Sequence, residues 1–274
     1  MSTTFRPETA RDAVRTAAQK VGLRADDAEQ LRPGLHLLPS EDVLAEVRPL
    51  DDLPELSREI TACRWLNSAG LPAAEPVADV DQAFPAAGLP VAFWRRVRRD
   101  PAGSDDLGEL LRQLHALPLP TELALPEHDV LGRLRPTLEN APIGEGDRAI
   151  LLSRLRELRD QVDARLAAVA TSGGSPVLVD VAHLAHGQPE WDLGAVATEH
   201  ALGWWTDEQY RAFTDAYGFD VTGWHGFAAI EAVHRIKLIT ALLPDVADDA
   251  SAAAEYETRM RSVRDGAATT WTPR

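Results

Sequence analysis

Lysine, asparagine and cysteine are almost missing from this 274-residue chain. Of its 28 basic side chains only Lys20 and Lys237 are lysine, and the rest are arginine. With abundant alanine, that bias points to a GC-rich genome. The two asparagines are Asn67 and Asn140. A single cysteine, Cys63, excludes an internal disulfide framework and fits a reducing cytoplasm. Within "ITACRWL" it is expected to be a small core residue on a helix. No apolar run approaches the ~20 residues a membrane span needs, and the opening MSTTFRPETARDAV carries no apolar signal core. A cytoplasmic protein that does not enter a membrane is the expectation. The formal charge of −15 argues against nucleic acid or an anionic membrane as partner, because phosphate backbones select basic surfaces. There is no internal repeat and no low-complexity tract.

What is present is the composition of a globular protein, with 45% hydrophobic residues and enough length for one large domain or two lobes. Residues 7–31 read as an opening helix, broken by Pro33-Gly34. "LHLL" and "DVLAEVRP" follow as short strands, then the helix "LPELSREITACRWLNSAG", with Leu56, Ile60, Cys63 and Leu66 on one face, and the strand "VAFWRRV". From Leu107 the pattern turns helical, through "DDLGELLRQLHAL" and the long amphipathic "GDRAILLSRLRELRDQVDARLAAV". One short strand, "PVLVD", interrupts the helices that run to the end. The expected fold class is α+β in two lobes: residues 1–97 as a small mixed lobe and 98–274 as a helical lobe, with a ligand cleft between them.

The stretch "SPVLVDVAHLAHGQPEWDLG", residues 175–194, concentrates chemistry. Asp180, His183 and His186 place a carboxylate and two imidazoles within seven residues. Imidazoles suit general acid–base work near neutral pH; the plainer alternative is a pair of loop histidines bonded to backbone. His183-x-x-His186 with Asp180 or Glu190 completes no recognised zinc spacing, so no metal site is expected. Trp204 and Trp205, with Trp224 and His225, are candidates for an aromatic ligand surface or for helix packing. "EAVHRIK" adds Glu231, His234 and Arg235 on a late helix.

Six segments coincide in order with one family: "EVRP", "SREITACRWLNSAGLPAAEPV", "GLPVAFWRRV", "LGELLRQLHALPLP", "GQPEWDLGAVATEHALGWWTDEQYRAFTDAYGFDV" and "RSVRDGAATTWTPR". Together they resemble the aminoglycoside phosphotransferase (choline-kinase-like) proteins common in actinobacteria, across nearly the whole chain. The resemblance implies a protein-kinase-like fold that moves a phosphoryl group from ATP to a small-molecule hydroxyl. It also implies a strand lysine paired with a helix glutamate, a His-Gly-Asp loop with an asparagine five residues on, and a second, metal-binding aspartate.

Here the parts diverge from that pattern. Glu46 stands at or beside the lysine position, no lysine lies between positions 21 and 236, and Arg48 is the nearest cation. Glu59 is the candidate helix glutamate. There is no His-Gly-Asp triplet, and both asparagines lie far upstream of a magnesium ligand's place. Asp180 can fill one acidic role, either on the metal strand 176–180 or in a degenerate loop "DVAHLAHG". Asp192 of "PEWDL" corresponds to a bracing position. The resulting expectation is a protein that has lost its kinase machinery and handles a small molecule in specialised metabolism. Asp180, His183 and His186 would be its catalytic groups, and Glu46, Arg48, Glu59, Glu190, Trp204, Trp205, Glu231 and His234 its ligand-binding groups. No cofactor is expected, ATP and Mg entering only if residual kinase activity survives. The alternative to a small-molecule enzyme is a non-catalytic pseudo-phosphotransferase that binds a small molecule or serves as a partner subunit, with a protein partner or a homodimer allowed for.

Overall fold

The computed structural model describes residues 6–78, 80–96, 103–121, 123–169, 185–266 and 270–273, with side chains of the helix ending at Val169 described up to residue 159. The chain divides into two compact units, each with its own core. Described residues of the first run from 6 to 96 and from 119 to 125. The second takes 103–118, 126–169 and everything from 185 onward.

The first unit is a five-stranded antiparallel sheet between helices. Its strands are β1 (Glu29–Arg32), β2 (Leu35–Leu38), β3 (Val43–Val47), β4 (Phe84–Ala86) and β5 (Leu89–Arg95), in the order β1-β2-β3-β5-β4. Side chains alternate faces along a strand, and each face here has its own helix. Val43, Ala45 and Val47, with Val91 and Phe93, pack against α1 (Pro7–Val21). That helix presents Ala10, Ala13, Val14 and Ala17 at helical spacing, small enough to seat it close on the sheet. Leu44, Ala92 and Trp94 face the opposite way, onto Leu56, Ile60 and Cys63 of α2 (Leu53–Ser68).

The opening helix is shorter than its composition suggests. The reading of 7–31 as helical is corrected: α1 stops at Val21, and residues 29–32 form β1. Gly22 adopts φ 76°, and backbone N–H groups close onto Ala18 and Gln19 carbonyls. That left-handed cap favours glycine and ends the helix. All four β1 side chains are exposed, so no apolar periodicity marked the strand; pairing to β2 makes it.

The second unit is helical: α3 (Ser104–His115), α4 (Val130–Glu139), α5 (Glu145–Val169), α6 (Glu190–Ala201), α7 (Asp207–Tyr217), α8 (Phe227–Thr240) and α9 (Ala250–Asp265). One apolar cluster joins α4, α5, α8 and α9 through Leu134, Leu138, Leu151, Leu158, Val233 and Met260. Another joins α3, α6 and α7 through Leu107, Leu193, Tyr210 and Phe213. Gly108 lets α3 lie directly against the Phe213 backbone of α7, where any Cβ would collide.

The C-terminal tail is fastened by a buried ion pair. Arg259 is 2% exposed; its Nε donates to Glu255 at 2.8 Å, Nη1 to the Leu238 carbonyl at 2.7 Å and Nη2 to the Thr272 carbonyl at 2.6 Å. Glu255 in turn accepts from the Thr272 amide at 2.9 Å. Trp204 Nε1 donates to the Trp271 carbonyl at 2.5 Å, and the Trp271 side chain is 1% exposed.

Candidate functional site

In the first unit the site grows from the alternation of β3. With Val43, Ala45 and Val47 committed to the α1 face, Glu46 points with Leu44 towards α2. Trp94 on β5 donates its Nε1 to Glu46 Oε2 at 3.0 Å. Arg48, just past the strand and on the same side, donates from Nε to Glu46 Oε1 at 2.7 Å and from Nη2 to Glu59 Oε2 at 2.5 Å. Side-chain exposures of 18% for Arg48, 21% for Glu46 and 16% for Glu59 mean that the three charges are largely desolvated together. Burial alone would lower the Arg48 guanidinium, but the carboxylates of Glu46 and Glu59 outweigh it and hold the group above its ordinary value. Beneath them, burial followed by the same two carboxylates pushes the Cys63 thiol up to about 12, so it is no nucleophile.

In the second unit α6 starts inside "PEWDL". Asp192 in its first turn lies 3.1 Å from His115 Nε2, and His115 Nδ1 lies 2.8 Å from the Tyr217 hydroxyl. An ionised carboxylate only accepts, so His115 donates through Nε2 and its Nδ1 accepts from Tyr217. Burial, then Glu190 and Asp192, pushes the Tyr217 phenol up to about 12. The chain α3–α6–α7 is thereby tied through one imidazole.

A second polar group surrounds the N-terminus of α4. His186 pairs by backbone with its neighbours there, its N–H donating to the Pro126 carbonyl at 2.7 Å and its carbonyl accepting from the His128 amide at 2.8 Å. The His128 ring is tilted by 45° against that of Trp191 with ring centres 5.0 Å apart, and among the described residues neither of its buried ring nitrogens has a hydrogen-bond partner. Burial, then Arg133 and Lys237, lowers it to about 4, so it is a neutral imidazole. With Trp191, His234 and Lys237 it lines a small cavity of about 50 Å³. The His234 side chain is 10% exposed, with Nε2 3.8 Å from Glu199 Oε1, too far for a hydrogen bond. Burial would raise the Glu199 carboxyl, but His234 and the Trp205 indole, which donates at 3.1 Å, hold it below its ordinary value.

Asp180 and His183 lie outside the described residues, as does the strand 176–180. Trp204 is spent on the tail and on Arg259, and Trp205 packs edge-on to Phe213. Glu231 holds Arg235 through two bonds of 3.0 and 2.8 Å. Glu190 lies in the first turn of α6. Among the described residues no group of three His, Cys, Asp or Glu side chains could hold a metal ion. Both asparagines serve helix ends: Asn67 donates to the Cys63 and Ala74 carbonyls, and Asn140 to that of Pro136. Sequence reasoning missed His128, which sits in a loop with no periodicity to flag it.

No family model and no curated protein matches the chain. Solved structures do. An aminoglycoside phosphotransferase, APH(3'')-Id of Streptomyces rimosus, superposes with a TM-score of 0.58 at 17% identity, over 84% of this chain and 99% of that one. The fold is that of the aminoglycoside phosphotransferases. Amicoumacin kinase shares this phosphotransferase fold at a TM-score of 0.62 and 12% identity, over 94% of this chain and 95% of its own. A choline/ethanolamine kinase family protein of Mesorhizobium loti gives 0.51 at 16% identity, with 87% of each chain covered. The sheet-and-helix first unit and the helical second unit are the architecture expected of that fold. No helix of the described chain is long and apolar enough to cross a membrane.

Proposed function

We propose that this chain uses the phosphotransferase fold to handle a small molecule without ATP-dependent phosphoryl transfer. The observation that carries this reading is Arg48 clamped between Glu46 and Glu59. Kinases of this kind pair a strand cation with a single helix glutamate and leave its charge facing the triphosphate. Here the local cation is neutralised twice over, leaving a net negative cluster. A like charge brought to about 4 Å costs about 4 kcal/mol at an effective dielectric of about 20, so a polyphosphate is repelled. The absence of a His-Gly-Asp triplet, and the use of both asparagines at helix ends, point the same way.

Within this reading Asp180, His183 and His186 are the groups for acid–base chemistry, and ligand binding alone is the alternative. Loss of turnover with ligand affinity kept in Asp180→Ala/His183→Ala supports catalysis. Unchanged behaviour of that variant rejects it.

The deciding experiment is a calorimetric titration with ATP and magnesium, alongside thermal melts. No saturable heat and no rise in Tm at millimolar nucleotide is the expected result; ligand at a hundredfold its Kd would add about 2.7 kcal/mol. Binding that disappears in Arg48→Ala would overturn the reading, because the Arg48–Glu59 pair would then be serving as the kinase's cation–glutamate pair.

A further inference from the structure

Glu46 is held by both of its oxygens, and by two different kinds of donor. Oε1 accepts from Arg48 Nε at 2.7 Å, and Oε2 accepts from Trp94 Nε1 at 3.0 Å. The sheet register builds the second contact. Leu44 pairs with Trp94 and Glu46 with Ala92, so the indole reaches Glu46 diagonally across one face of β3 and β5. Diagonal neighbours on paired strands lie within range of an aromatic side chain, and an alanine at position 92 leaves the indole its path. Trp94 is 6% exposed and packs in the cluster of Leu56 and Ile60, so its N–H has a fixed direction.

Arg48 is fixed as well. Its backbone N–H donates to the Pro90 carbonyl at 3.2 Å, which anchors the residue to β5. Nε is engaged by Glu46 and Nη2 by Glu59, while Nη1 carries no bond to a described residue. A guanidinium presents donors on each of its nitrogens, and 18% of this side chain is still exposed. An anion can therefore reach Arg48, and what opposes it is charge. Glu59 alone would leave a neutral pair; Glu46 is the second carboxylate on one cation and makes the cluster net negative.

A carboxylate in a solvent-exposed pair exchanges readily. Glu46 does not have that freedom, because swinging aside would also leave the buried Trp94 N–H without its acceptor.

We propose that Glu46, locked by Trp94, is the specificity-determining residue of this face: it keeps anions from Arg48, whose affinity for them is latent. Trp94 is a positioning residue for Glu46. The proposal rests on the reading that the chain excludes polyphosphate, and assigns that exclusion to one side chain.

The test titrates inorganic tripolyphosphate calorimetrically, without magnesium, into the full chain, with melts to confirm folding. Wild type should give no saturable heat at millimolar concentration. Glu46→Gln, which keeps the shape and removes the charge, should bind saturably, with a Kd at least about tenfold below that limit. Glu46→Ala takes its place should the glutamine variant not fold. Glu46→Gln/Arg48→Met should lose the gained affinity, and Trp94→Phe should fall between wild type and Glu46→Gln. In Glu46→Gln the Arg48 side-chain N–H signal should shift with tripolyphosphate, a readout that serves should the double variant not fold. Glu109→Gln removes a negative charge from an exposed pair on α3 and should behave as wild type.

Folded Glu46 variants that bind no better than wild type would overturn the proposal and leave the earlier reading standing. Binding kept in the double variant, an unshifted Arg48 signal, an equal gain in Glu109→Gln, or Trp94→Phe identical to wild type would also overturn it. Wild-type binding that depends on Arg48 would overturn both.

Discussion

Arg48 Nη2 reaches Glu59 Oε2 at 2.5 Å, joining the end of β3 to the middle of α2. The same guanidinium holds Glu46, which Trp94 also holds. Removing Arg48 leaves two largely buried carboxylates facing each other. Breaking such a pair by deleting one partner costs about 3–5 kcal/mol, and with these exposures the lower end applies. Arg48→Ala should lose about 3 kcal/mol in urea unfolding, whereas Glu46→Gln, which keeps one carbonyl acceptor for Arg48 and gives up the one for Trp94, should lose less, about 1.5. Equal losses would show that Arg48 does not organise the cluster.

Cys63 should be inert in the native protein. Its thiol, fully buried and pushed up to about 12, is protonated across the neutral range. An aromatic disulfide reagent at pH 8 should fail to label native protein and should label it fully in denaturant. Fast native labelling would mean that α2 opens from the sheet.

His128 makes stability depend on pH in a defined window. Its folded value is lowered to about 4 from 6.5, so between these values the unfolded chain holds a proton that the folded one does not. Its contribution is therefore complete above pH 6.5, falls as pH drops towards 4, and stops changing below that. The difference corresponds to at most about 3 kcal/mol. His128→Gln should flatten the stability profile over this window; a profile unchanged from wild type would remove His128 as its source.

Arg259 fastens the tail. Arg259→Ala strands Glu255 in the core and frees the Thr272 and Leu238 carbonyls, at a cost of about 3–5 kcal/mol. The tail should then become the preferred cleavage site in limited proteolysis. A variant that resists protease as wild type does would show that Trp271 packing alone holds the tail.

Chain order and patterning were enough to specify the architecture. Alternation in "VLAEV" assigns Glu46 to the face opposite Val43, Ala45 and Val47, and the spacing of Leu56, Ile60 and Cys63 assigns the side of α2 that meets it. These are local periodicities, and hydrophobic burial acts on them directly. Composition also limited the lysines to two, Lys20 on α1 and Lys237 on α8. Tertiary structure decided everything that depends on residues distant in sequence. The clamp on Arg48 needs β3, β5 and α2 together, and Trp271 meets Arg235 only because Arg259 and Trp204 pin the tail. The pairing of the fully exposed β1 was likewise a tertiary outcome, since backbone hydrogen bonds to a neighbouring strand leave no pattern in side-chain polarity. An ion pair or a cavity is a relation between surfaces, and one strand or helix encodes only its own side of it.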